Sequence, residues 1–240
     1  SRFPDRGESH PRIPCSGYQP FRVNRRKRTA QVHCIIGGPA YPFGHENQVA
    51  MGLFTNLLGG PVMNSRLALA LRERKGLTYH NEAFYAAYSD AGIAGIYFGT
   101  DPGRYEEALD VAGRELKLLR EKHLSPIQLH TAKKQIAGQL ALSRESNLSM
   151  MLAIGKSYLL HNRFDPPDVI TRRIDAVTSV QLAEIANEVF GESATGMLTY
   201  RGKKSGCPAR VRSLKEKIAI TRGYTSMASA SRPANPNGTL

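Results

Sequence analysis

Two aromatic-rich segments, Leu77 to Tyr88 and Ala91 to Thr100, are separated only by Ser89-Asp90. A connection that short leaves no room for a crossover helix, so the two segments read as antiparallel strands of one hairpin. A lone two-stranded ribbon is at best marginally stable in water. The rest of the chain must therefore supply further strands and a cover for the apolar face of this hairpin.

Candidates lie on both sides. Gln31 to Ile36 reads as a buried or half-buried strand ending at Gly37-Gly38. Glu46 to Leu58 has Val49, Leu53, Phe54, Leu57 and Leu58 at helical spacing and stops at Gly59-Gly60. Asn64 or Ser65 can cap a second helix running to Lys75, with Gly76 placed where a left-handed residue ends it. Beyond the hairpin, Asp101-Pro102-Gly103 is a turn. Tyr105 to Lys122 is then amphipathic, and Ser125-Pro126 opens a helix to about Arg144. Leu148 to Leu160, Val169 to Ala176 and Val180 to Phe190 read as further helices, the last capped by Thr178 and ended by Gly191. Ala194 to Tyr200 reads as a final strand. Strands and helices segregated in this way give an α+β fold, a mixed and mainly antiparallel sheet covered by helices.

The distribution of charge narrows the function. The net charge of +13 over 240 residues invites a nucleic-acid reading. Residues 1–28 hold eight basic and two acidic side chains, and residues 201–240 hold nine and one. Residues 29–200 are left with sixteen basic and seventeen acidic side chains, so the part that folds is electrically balanced. A nucleic-acid domain puts its basic stripe on the fold. No specific nucleic-acid partner is expected, and basic ends alone give only salt-sensitive, non-specific adhesion to polyanions. The Pro- and Arg-rich residues 1–28 read as a basic linker or arm, and residues 201–240 as a basic, disordered tail. The arm looks like an interdomain linker, which favours a piece of a longer polypeptide over a complete subunit. No apolar run reaches the length of a membrane span. Three widely spaced cysteines, Cys15, Cys34 and Cys207, suggest neither a disulfide framework nor a zinc cluster. They point to a reducing, cytoplasmic setting, with periplasmic and organellar ones left open.

Metal chemistry is not encoded locally. Histidine occurs at positions 10, 33, 45, 80, 123, 130 and 161, and no pair has the spacing of H-x-x-E-H or H-E-x-x-H. His45-Glu46 lacks the second histidine. His33 and Cys34 are neighbours on a strand and point to opposite faces. No metal site is expected in this chain.

The most informative stretch runs from Leu57 to Arg104. A helix ending in Gly59-Gly60 is followed by Asn64-Ser65-Arg66-Leu67 and then by Leu71-Arg72-Glu73-Arg74-Lys75-Gly76-Leu77-Thr78-Tyr79. These motifs, in this order, resemble the second, non-zinc half of the pitrilysin and insulinase (inverzincin) metallopeptidases, a family that includes the mitochondrial processing peptidase. The resemblance extends over about residues 29–200. It implies an inactive, peptidase-like half domain that faces a zinc-bearing N-terminal half, from the same precursor or from a separate chain, around a peptide. Zinc is then expected in the partner half, and hydrolysis is not expected from this chain alone.

The resemblance also implies site residues. Family members carry an Arg and a Tyr seven residues apart in this half, matched here by Arg72 and Tyr79. Peptide hydrolysis builds negative charge on the former carbonyl oxygen. A fixed phenol can donate to that oxygen, and a guanidinium can hold a substrate carbonyl. Arg72 and Tyr79 are thus the candidate catalytic residues. Gly59, Gly60, Ser65 and Arg66 are the candidate substrate-binding residues. Each also has a plainer explanation. Glycines end helices, tyrosine is common in strands, and basic residues such as Arg66, Arg72, Arg74 and Lys75 suit solvent or a helix end. Of the aromatic set Phe84, Tyr85, Tyr88, Tyr97 and Phe98, strand alternation allows at most half to face a peptide. The alternative to a substrate-binding half is a non-catalytic structural or assembly subunit of the same fold.

Overall fold

A computed structural model describes residues 17–162, 164–191 and 193–202. The expected tail from residue 203 onward, residues 1–16 of the arm, Cys15 and Cys207 lie outside the described residues.

The hairpin forms as expected. Strand β3 (Thr78–Ala87) and strand β4 (Gly92–Thr100) pair antiparallel, and Tyr88 N–H closes their connection onto Ala91 O. Strand β2 (Val32–Ala40) lies antiparallel to β4 on its other side, and strand β5 (Gly196–Gly202) lies antiparallel to β2. Strand β1 (Arg22–Lys27) completes the sheet by pairing parallel with β5, giving the order β1-β5-β2-β4-β3.

Two differences from the sequence reading have physical causes. The end of the arm is not irregular, because Arg22–Lys27 forms the edge strand. Its side chains are nearly all exposed, so no apolar alternation marks it, and main-chain pairing with β5 holds it. Its row of charges is what an exposed edge needs to discourage further pairing. The second difference is that β2 does not stop at Gly37-Gly38. Gly37 sits in register with Gly95 on one side and Gly196 on the other. A glycine that would end an isolated strand is here one of three that cross the sheet in a single row.

Strand alternation assigns the two faces. Cys34, Ala94, Ile96 and Phe98 point to one face and are fully buried. Helices α1 (Gln48–Gly59), α2 (Tyr105–Glu121) and α6 (Ser179–Phe190) close that face, with Met51, Leu53, Phe54, Ala108, Leu116, Ile185 and Val189 in one continuous core. Helix α3 (Pro126–Ser143) starts at a full capping box between Ser125 and Gln128, and α5 (Pro167–Ala176) packs beside it. Helix α4 (Asn147–His161) lies between them in sequence and ends at Asn162 in the left-handed conformation. The opposite sheet face presents Ile35, Tyr97, Ile93, Phe84 and Leu198 around the glycine row. It is open: Ile93 is 45% exposed. A cleft of about 1560 Å³ lies on it, with Tyr18, Phe21 and Tyr88 among its lining residues. Among the described residues no helix is long and apolar enough to cross a membrane.

Candidate functional site

The segment between α1 and β3 carries the residues that the motifs single out. It begins where α1 ends on the sheet. A Cβ on Gly59 would stand 2.4 Å from the backbone nitrogen of Ala83 in β3, so only glycine lets the helix end approach the strand this closely. Gly60 N–H then donates to Asn56 O at 2.9 Å and turns the chain away.

The next helix is short and irregular. Leu69 N–H bonds Ser65 O in the ordinary four-residue step, but Arg74 N–H reaches back five residues to Leu69 O at 3.0 Å. Ala68–Glu73 is therefore a π-type segment, a wide turn that recurs at functional positions in proteins. Leu67 and Leu71 anchor it in the core. Gly76 ends it at φ 57°, the left-handed conformation expected of it, with its N–H on Arg72 O and the Leu77 N–H on Leu71 O.

Strand β3 starts with a bulge. Thr78 pairs with Thr100 and His80 with the adjacent Gly99, so Tyr79 has no partner across the ladder. Bulges re-aim side chains in this way. Tyr79 is 83% exposed, and its hydroxyl bonds no other described residue.

The structure brings some of the expected residues together and not others. Gly59, Gly60 and Arg72 line one cleft of about 400 Å³, together with His80 and Glu82 of β3. The Arg72 Nε–H donates to Glu73 Oε1 at 2.9 Å on the exposed rim. Tyr79 does not line this cleft and projects to solvent instead. Ser65 is 2% exposed, with its hydroxyl unpaired, and Arg66 turns toward Glu115 of α2 at 3.5 Å. Neither lines the cleft.

Sequence reasoning missed the polar group around Tyr97 on the open face. Its hydroxyl lies 2.8 Å from His33 Nδ1, its ring packs against His80, and His80 Nε2 is 3.7 Å from Glu82 Oε2. Nothing in the sequence pointed to it, because the bulge at Tyr79 decides that His80 shares a face with His33. Of the aromatic set, Phe84 and Tyr97 face the open side, whereas Phe98 is buried and the Tyr85 hydroxyl donates to Tyr41 O.

Electrostatic shifts lie mostly outside the cleft. Burial raises the Cys34 thiol above its ordinary value, and Thr199 and Tyr105 offset this only in part. Burial likewise raises the Tyr41 phenol, and the Glu188 carboxylate that accepts its hydrogen bond raises it further. Glu107 moves the other way, lowered first by the hydrogen bond from Lys75 Nζ at 2.6 Å.

His33, His45 and His80 are engaged with neighbours rather than gathered around one point. Among the described residues no group of three or more His, Cys, Asp or Glu side chains could hold a metal. His33 is engaged by Tyr97, His80 by Glu82, and His45 stacks on Tyr41.

Comparison with known proteins identifies the family. Residues 3–136 match the model of the peptidase M16 inactive domain. The chain is 32% identical over 171 residues to the uncharacterized zinc protease YmxG of Bacillus subtilis, covering 71% of this chain and 42% of that protein. It is 33% identical over 159 residues to the mitochondrial-processing peptidase subunit alpha of Neurospora crassa, covering 64% and 27%. Among solved structures, a peptidase M16 inactive domain from Pseudomonas fluorescens superposes with a TM-score of 0.70 at 17% identity, over 79% of this chain and 45% of that one. The chain thus spans less than half the length of these relatives. It belongs to the M16 peptidases of the pitrilysin and insulinase type, as an example of their inactive, C-terminal domain.

Proposed function

We propose that this chain is the substrate-binding half of a zinc metalloendopeptidase, completed by a zinc-bearing half on the same precursor or on a separate chain. The hydrolytic chemistry belongs to that other half. This chain holds the peptide and donates a hydrogen bond to the carbonyl oxygen as charge builds on it. Arg72 is the peptide-positioning group, with Gly59 and Gly60 giving the peptide close access to the cleft wall. Tyr79 is the oxyanion donor.

The observation that carries the reading is the placement of Tyr79. The bulge that opens β3 frees this one phenol from the ladder and leaves it 83% exposed with an uncommitted hydroxyl. A tyrosine held that way is poorly explained as a core or sheet residue. It is well suited to a partner that arrives from outside, as is Arg72 at the rim of the adjoining segment. The supporting experiment joins the chain to its zinc-bearing half and follows cleavage of an unstructured peptide. Arg72→Ala should raise KM and lower kcat/KM by ~10-fold or more, the scale of a lost charge-assisted hydrogen bond. An unchanged kcat/KM contradicts the assignment.

One observation favours the other reading, an assembly subunit without catalytic contacts. Ile127 and Leu142 of α3 and Leu148, Met151, Leu152 and Leu159 of α4 are all well exposed. On α4 the four recur at steps of three, four and seven, so they line one face of that helix, and an exposed apolar face of this kind is suited to contact with another protein. The same reconstitution separates the readings. A complex that assembles but shows no dependence of turnover on Arg72 or Tyr79 is an assembly role.

A further inference from the structure

The bend between Arg72 and Tyr79 is held from outside by groups that the proposed chemistry does not use. Three consecutive main-chain carbonyls in it each accept a side-chain hydrogen bond. Arg104 Nη2 donates to Lys75 O at 3.1 Å, Arg104 Nη1 to Gly76 O at 2.9 Å, and Thr100 Oγ1 to Leu77 O at 2.7 Å. Lys75 Nζ is tied in turn to Glu107, one turn further along α2.

The position of Arg104 is informative. It is the residue that precedes α2, where the positive end of the helix dipole disfavours a cation. For its own helix the charge is at the wrong end. For the preceding segment it is at the right one, because its guanidinium meets the carbonyls left unpaired at a helix C-terminus. The planar fork of arginine can engage two adjacent carbonyls at once, which a single ammonium cannot. Arg104 is set in place by its own turn, through its N–H on Asp101 O. Thr100 is buried at the end of β4 and fixes the lower end of the bend to the sheet.

The bend pivots on Gly76, the one residue in it with a positive φ and no side chain to limit its freedom. Without an outer hold, the segment bearing Arg72 and the strand bearing Tyr79 are joined through that pivot. We propose that Arg104 is a positioning residue, working from the fixed base that Thr100 supplies, and that it sets where the Arg72 guanidinium and the Tyr79 hydroxyl stand relative to each other. This rests on the functional reading above and adds to it a residue that touches no substrate.

The test compares Arg104→Ala and Arg104→Lys in the full chain joined to the zinc-bearing half, with amide exchange and peptide cleavage measured on the same protein. Arg104→Ala should speed exchange of the Gly76 and Leu77 amides by ~10-fold while the Phe98 amide stays protected. It should lower kcat by ~10-fold or more, the cost of misplacing a catalytic group. Arg104→Lys should recover only part of both. Unchanged exchange at Gly76 and Leu77, unchanged kcat with a loosened bend, or full rescue by lysine each overturns the positioning role. Arg72→Ala and Tyr79→Phe in the same assay separate the two levels. If they lower turnover and Arg104→Ala does not, only the positioning role fails. If none of the three does, the functional reading fails and takes the positioning role with it.

Discussion

At the scale of single residues, the chain separates groups that hold the fold from groups that are free to act. Cys34 belongs to the first kind. It is buried between Tyr105 and Thr199, and burial keeps its thiol protonated. Only the thiolate is a nucleophile. An alkylating reagent at pH 8 should therefore leave Cys34 unmodified in the native chain and modify it after unfolding, which mass spectrometry of the digested protein would read directly. Labelling of native Cys34 as fast as of a free thiol would contradict the packing described. Glu107 is an exposed example of the same logic with the opposite sign. Its folded value is lowered by Lys75, so the contact is fully formed above the ordinary glutamate value of about 4.3 and is lost as pH falls through the lowered folded value. Carboxyl NMR of Glu107 should show a midpoint below that ordinary value, returning toward it in Lys75→Ala.

At the scale of elements, the glycines do the placing. Gly76 holds φ 57°, so Gly76→Ala should cost about 1–2 kcal/mol in denaturant unfolding. Gly59→Ala meets a different obstacle, the β3 backbone 2.4 Å away, and should cost about 1–3 kcal/mol by pushing α1 off the strand. Equal stability of either variant to the parent would contradict the geometry given for it. Much at this scale was legible in the sequence. The Ser89-Asp90 connection gave the hairpin, Ser125-Pro126 the start of α3, and Gly76 the end of the helix before β3. Three features were not legible, and each depends on a partner distant in sequence. The edge strand Arg22–Lys27 exists only because β5 offers it a free edge. Strand β2 continues through Gly37-Gly38 only because Gly95 and Gly196 lie alongside. The π-type turns that carry Arg72 and the bulge at Tyr79 each add one residue to a regular pattern, and no propensity distinguishes them. That is why spacing could nominate the pair, whereas only the structure shows Arg72 in a cleft and Tyr79 outside it.

At the scale of the whole molecule, the sheet is covered on one face by α1, α2 and α6 and left open on the other, where a cleft of about 1560 Å³ is lined in part by Gly37 and Gly196. The chain belongs to the M16 inactive domains, and the proposal above pairs it with a zinc-bearing module. The central claim is that Tyr79 serves a reaction centre carried by that other module, and the most direct measurement is the turnover of a peptide by the joined halves with Tyr79→Phe. The change removes one hydroxyl that bonds no other described residue, so the fold should be untouched. The account predicts a fall in kcat of ~10²–10³ with KM little changed, the effect of losing an oxyanion donor. Turnover equal to that of the unmodified protein would contradict it.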